Sequence, residues 1–142
     1  MSVSCRKAAG LVLGLALMAM VMAAPPAGAQ SCAGAGTQAD LNECTARALQ
    51  QASAALEERV ATILARLDDA PRTAELLLAA QGRWEAYRDA ECDFATVGVA
   101  GGSIYPTVLA ECRTDLTEAR EAALAAYLEC QEGDLSCPVP PR

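Results

Sequence analysis

Seven cysteines punctuate the chain, and their placement limits its fold more than any other feature. Cys5 lies at the head of an N-terminal segment with the layout of an export signal, and Cys32, Cys44, Cys92, Cys112, Cys130 and Cys137 all lie beyond it. An even set of cysteines in an exported chain reads as a disulfide framework formed in an oxidising compartment. The alternative, six buried thiols in a cytosolic protein, conflicts with the export signal. Zinc binding is a weak reading, because the chain has no histidine and no C-x-x-C pair. Six cysteines admit many connectivities. The nearest-neighbour scheme, Cys32–Cys44, Cys92–Cys112 and Cys130–Cys137, is the expectation, since it closes three local loops.

The export signal has three parts. Arg6 and Lys7 supply positive charge, Ala8 to Ala24 form an apolar run, and Pro25 and Pro26 interrupt it before Ala27-Gly28-Ala29. Small residues at both ends of that triplet predict cleavage after Ala29, so that residues 1–29 are removed. An uncleaved anchor would want about 20 apolar residues, and the run is shorter. A lipidated Cys32 would want a small residue directly before it and a Leu-like one three before, whereas Ala29-Gln30-Ser31 fits that pattern poorly. The expectation is a periplasmic or secreted protein with no membrane attachment after cleavage.

Cleavage leaves 113 of the 142 residues, one domain's worth. Arg6 and Lys7 leave with the signal, so nine arginines face eighteen acids, a balance of −9. Such a surface repels nucleic acid and anionic lipid and attracts cationic partners.

Three amphipathic helices account for most of the remaining chain. The first spans about Gln38 to Leu67, with Thr37 as N-cap and Asp40 in a capping-box position. Leu41, Cys44, Ala48, Ala52, Ala55, Leu56, Val60, Ile63, Leu64 and Leu67 recur at helical spacing. The sequence Asp68-Asp69-Ala70-Pro71 ends it. The second spans about Arg72 to Phe94, with Leu76, Leu77, Ala80, Trp84 and Tyr87 as its apolar stripe. A loop from Val97 to Tyr105 carries Gly98, Gly101 and Gly102, and Pro106 suits the first turn of a third helix. That helix repeats Leu109, Cys112, Leu116, Ala119, Ala123, Tyr127 and Cys130 in steps of three and four. The fold class is all-α: a disulfide-stapled bundle of about three helices over residues 30–131, followed by an irregular Pro-rich tail over 132–142.

No catalytic constellation emerges, and the chain reads as a non-enzyme without metal or cofactor. The absence of histidine excludes Ser/His and Cys/His devices. Glu57 with Glu58, Asp68 with Asp69, and Asp89 with Asp93 read as solvated helix faces, although buried carboxylate pairs can do acid–base work. Gly101-Gly102-Ser103 lacks the lysine and spacing of a phosphate loop.

The segment Ala80-Gln81-Gly82-Arg83-Trp84-Glu85-Ala86-Tyr87-Arg88-Asp89-Ala90-Glu91-Cys92 resembles the AQ-x-x-W-x-x-[YF]-R-D-x-x-C signature of the LprI-type lysozyme-inhibitor family. The resemblance continues through Gly101-Gly102-Ser103, Pro106, Cys112, Leu116-Thr117 and Arg120. Upstream, Leu41-Asn42-Glu43-Cys44 is similar to the family's MN-x-C element, with Cys32 as the partner cysteine. The resemblance covers Cys32 to about Leu124. Two departures stand out: Leu56-Glu57-Glu58-Arg59-Val60 replaces an LN-x-x-Y step, and Cys130 and Cys137 lie past the shared core as an added staple.

The resemblance implies an exported protein that binds lysozyme, a cationic partner suited to this acidic surface. The rival expectation is an envelope structural or stress-related binding protein unrelated to lysozyme. Trp84 and Tyr87 read as core. Arg88, Asp89 and Arg120 read as ties between helices two and three, the alternative being an interaction patch. Gly101, Gly102, Ser103 and Tyr105 are the candidate contact residues, because exposed loops on rigid frames carry binding. A plain helix connection with glycines at positive φ is the equal alternative.

Overall fold

A computed structural model of the chain describes residues 32–141. The export segment and its cleavage site, residues 1–29, lie outside the described residues. Three helices dominate: α1 (Gln38–Arg66), α2 (Pro71–Ala95) and α3 (Tyr105–Ala126), with 3-10 turns at Val97–Val99 and Tyr127–Glu129. Among the described residues there is no strand, and no helix is long and apolar enough to cross a membrane.

Local sequence explains each boundary. At the start of α1 the Thr37 hydroxyl accepts from the Asp40 N–H at 3.1 Å, while the Thr37 N–H donates to the Asp40 carboxylate at 3.0 Å. The two bonds satisfy backbone groups that a helix start otherwise leaves without partners. Pro71 opens α2 behind Ala70, which offers no side-chain cap. Pro106 lies in the first turn of α3, where its missing N–H costs nothing.

Contacts between helices fix their directions. Gln38 meets Thr107, Arg59 meets Glu121, and Arg66 meets the Leu128 carbonyl, so α1 and α3 run parallel. Arg120 meets Gln81 and Arg113 meets Asp93, so α2 runs antiparallel to α3. Helices α1 and α3 pack closely, whereas α2 leans on α3 and stands further from α1. Small side chains permit the close pair: Thr45 and Ala52 on α1, with Thr107, Ala110, Thr114 and Thr117 on α3, are all buried. Thr45, Thr114 and Thr117 return their hydroxyls to carbonyls of their own helix, so no donor is stranded.

The apolar core sits at one end of this frame. Leu56, Ile63, Leu67, Leu124, Cys130 and Val139 form it, with Leu77, Trp84 and Leu128 packed alongside. Ile63 and Leu124 are almost fully enclosed, and burying such side chains stabilises by about 1.5–3 kcal/mol each. Val139 arrives from the Pro-rich tail, whose fold-back the hydropathy pattern does not reveal. A turn at Asp134 supports that fold-back: the Ser136 N–H and hydroxyl both donate to its carboxylate, at 2.9 and 2.6 Å. Those two bonds hold the Asp134 carboxyl below its ordinary value, the side-chain bond having the larger effect.

The disulfides join neighbours in sequence: Cys32 to Cys44, Cys92 to Cys112, and Cys130 to Cys137. Two of these three lie toward the end opposite the core, where fewer apolar side chains are buried.

The stripe on α2 differs from its expected position. Leu76 and Ala80 are exposed and Tyr87 is 55% exposed, so Tyr87 is not a core residue. The inward stripe is Ala74, Leu77, Gln81, Trp84, Arg88 and Cys92. Two of its members are polar, so a search for apolar periodicity rotates the helix to the wrong face. Ala55, Ala119, Ala123 and Tyr127, all counted in apolar repeats, are also exposed.

Candidate interaction site

The end of the molecule away from the core is built by the connection between α2 and α3. Cys92 is fully buried in the last turn of α2, and its bridge to Cys112 brings the two Cα atoms to 5.8 Å. Thr96 closes α2, its N–H and hydroxyl both donating to the Cys92 carbonyl at 3.1 and 2.7 Å. A chain of short turns follows. Val99 donates to Thr96, Gly102 to Val99, and Tyr105 to Gly102, each at 3.0–3.1 Å.

Only one loop glycine is required by its conformation. Gly101 has φ of +81°, in the left-handed region that side chains disfavour. A Cβ on Gly102 would lie 3.2 Å from the Val99 carbonyl oxygen, a tight approach, whereas one on Gly98 would meet nothing within 4 Å.

The loop is also fastened to α1. The Asn42 amide donates to the Ser103 carbonyl at 3.2 Å, and its side-chain oxygen accepts from the Thr107 hydroxyl at 2.6 Å. Gln38 donates to both Asn42 and Thr107, at 2.9 and 3.0 Å. This cluster joins the first turns of α1 and α3. The Cys32–Cys44 bridge ties the N-terminal arm to the same turns of α1.

Of the four loop candidates, Gly101, Gly102 and Ser103 are exposed, while Tyr105 is half-buried and begins α3. Three exposed apolar side chains lie in or beside the loop, of which Phe94 falls outside the expected loop bounds. Phe94 is 77% exposed, Val97 67% and Ile104 43%. Phe94 continues the apolar repeat of Leu76, Ala80 and Tyr87, so its exposure follows from the same rotation of α2.

The remaining motif residues occupy the seam between α2 and α3. Trp84 packs against the core, and the Arg88 guanidinium lies 5.3 Å from its ring centre. Arg88 donates to Asp89 at 3.0 Å. Asp89 lies 3.3 Å from Arg113 Nε, an ion-pair distance without hydrogen-bond alignment. Arg120 donates through Nε to Gln81 at 2.6 Å. Of the three residues expected to tie α2 to α3, Asp89 and Arg120 make contacts across the seam, to Arg113 and Gln81, whereas Arg88 pairs within α2.

A profile of the family described as "Lysozyme inhibitor LprI" matches residues 29–124. An uncharacterised protein of Rhizobium meliloti (strain 1021) is 30% identical over 132 residues, covering 82% of this chain and 95% of its own length. No solved structure matches the chain. The matched segment holds all three helices almost entirely, the motif seam and the braced loop, and this chain therefore belongs to the LprI lysozyme-inhibitor family.

Proposed function

We propose that the chain acts outside the cytoplasm as a cofactor-free inhibitor of a cationic lysozyme, with the braced loop end as its contact surface. Gly101, Gly102, Ser103 and Tyr105 contribute there, joined by exposed Phe94, Val97 and Ile104. The observation that carries this reading is the double restraint on the loop. The Cys92–Cys112 bridge holds its base, and Asn42 holds the Ser103 carbonyl. A loop ordered before contact loses little entropy on binding. The balance of −9 would steer a cationic partner toward it.

Lysozyme assays with the cleaved protein as titrant test the proposal. Ser103→Ala and Phe94→Ala should raise the inhibition constant mainly through faster dissociation. Glu111→Lys with Asp115→Lys, both exposed and in no ion pair among the described residues, should instead slow association and flatten its salt dependence. Glu121 is unsuitable for that purpose, because it pairs with Arg59 at 2.6 Å. Full lysozyme activity at a large excess of the parent would favour the rival reading, an envelope binding protein with another partner.

A further inference from the structure

A cavity lies at the opposite end of the molecule from the loop. It is a cleft of about 260 Å³, bounded by Ile63 and Leu67 of α1, Leu77 of α2, and Val139 of the tail. Leu76 and Tyr127 also line it while 54% and 38% exposed, so apolar surface remains turned to water there. The volume falls just below the roughly 300–1,000 Å³ common for small-molecule sites, which suits a short ligand.

One cation faces this apolar wall. Arg120 lines the cleft and is partly buried. The other partly buried arginines are differently supplied. Arg59, Arg88 and Arg113 each meet a carboxylate, and Arg66 donates to the Leu128 carbonyl. Among the described residues Arg120 meets no carboxylate, and its single hydrogen bond uses Nε, toward the neutral Gln81 amide. Its two terminal nitrogens keep their N–H groups for another acceptor. Among the described residues of a chain with eighteen acids, this partly buried guanidinium stands without a counter-charge, and its terminal nitrogens stay open to solvent or a ligand. A planar guanidinium edge beside an apolar trough matches a carboxylate carried on an alkyl chain.

We propose that this cleft binds a medium-chain fatty acid or a closely similar amphiphile, its carboxylate on the terminal nitrogens of Arg120 and its chain along Ile63, Leu77 and Val139. The tail supplies Pro138 and Val139 to the cleft wall, and the Cys130–Cys137 bridge pins that tail. Both lie past the segment matched to the family, 29–124, so the tail's part of the cleft wall is added to a floor and an Arg120 that lie within that segment. It is independent of lysozyme binding.

Titration of the cleaved full-length protein with octanoate and with octanol, followed by methyl NMR, tests this. Octanoate should shift the Ile63, Leu77 and Val139 methyls to saturation, and octanol should bind about tenfold more weakly or worse. Ala80→Phe, at an exposed helical position on the cleft wall, should abolish the shifts with helicity unchanged. Arg120→Met should reduce octanoate to the level of octanol. If that variant misfolds, the comparison of the two ligands on the parent still decides. Shifts that never saturate below the micellar concentration would overturn the proposal, as would octanol binding equal to octanoate or full binding by Ala80→Phe.

Discussion

Arg120 on α3 donates through Nε to the side-chain oxygen of Gln81 on α2 at 2.6 Å, and Gln81 is itself only 6% exposed. Two polar motif residues thirty-nine positions apart thus meet in the seam that keeps α2 on α3. Removing the acceptor would leave the guanidinium without a hydrogen bond among the described residues. Gln81→Ala is therefore expected to cost about 1–3 kcal/mol, the range for stranding a buried group opposite a charge. Urea denaturation reads it as a lower midpoint with an unchanged slope. A change within 0.5 kcal/mol, as for an ordinary surface site, would show that the pair does not hold the helices together.

That seam also explains what was legible in the sequence. Thr37 with Asp40 wrote the start of α1, and Pro71 and Pro106 marked the next two starts to within a residue or so. Those signals are local, so the backbone obeys them without help from the rest of the fold. The face of α2 was not legible, because two polar residues point inward: Gln81 meets Arg120 on α3, and Arg88 meets Asp89 and Trp84 within α2. The buried threonines of the α1–α3 interface were overlooked for a similar reason. The hydroxyls of Thr45, Thr114 and Thr117 are satisfied within their own helices, which makes these three as buriable as valine, while Thr107 donates across the interface to Asn42. At the candidate site, the glycines and Ser103 were visible as a loop. The role of Asn42 was not, since it lies sixty-one residues from the carbonyl that it holds.

The loop glycines separate cleanly by conformation. Gly101→Ala places a side chain at φ of +81° and is expected to destabilise by about 1–2 kcal/mol. Gly98→Ala meets open space and needs no positive φ. It should stabilise by about 0.4–1 kcal/mol through a less flexible unfolded chain. Thermal melts of the two variants check the pair, and equal shifts for both would contradict the assigned backbone.

The three bridges should differ in worth. Cys92–Cys112 closes a separation of 20 residues and Cys130–Cys137 one of 7. In the chain-entropy account a loop of about 15 residues contributes roughly 3 kcal/mol, and longer loops contribute more. Paired Cys→Ser replacement at 92 and 112 should therefore cost the most and expose the loop to proteolysis. The same replacement at 130 and 137 should cost less and loosen mainly Val139 and the tail. Non-reducing peptide mapping fixes the connectivity first, and a Cys44–Cys92 or Cys44–Cys112 peptide would refute this scheme.

Asn42 offers the sharpest test of the loop. Its amide donates to the Ser103 carbonyl while its oxygen accepts from both Thr107 and Gln38. Asn42→Ala removes all three bonds, yet Gln38 and Thr107 still have each other at 3.0 Å. The stability cost should accordingly be modest, about 1–2 kcal/mol. The larger effect is on order in the loop, because the Ser103 carbonyl loses its anchor on α1 while the Cys92–Cys112 bridge still holds the base. Hydrogen exchange at Gly102 and Tyr105, whose N–H groups close the loop's turns, should accelerate well beyond the global change. Exchange in the core around Ile63 and Leu124 should follow global stability alone. If the loop is the contact surface, the same variant weakens lysozyme inhibition by slowing productive docking, since an unordered loop must be fixed at each encounter. Unchanged exchange in the loop would remove Asn42 from this role. Faster exchange with undiminished inhibition would place the contact elsewhere on the molecule.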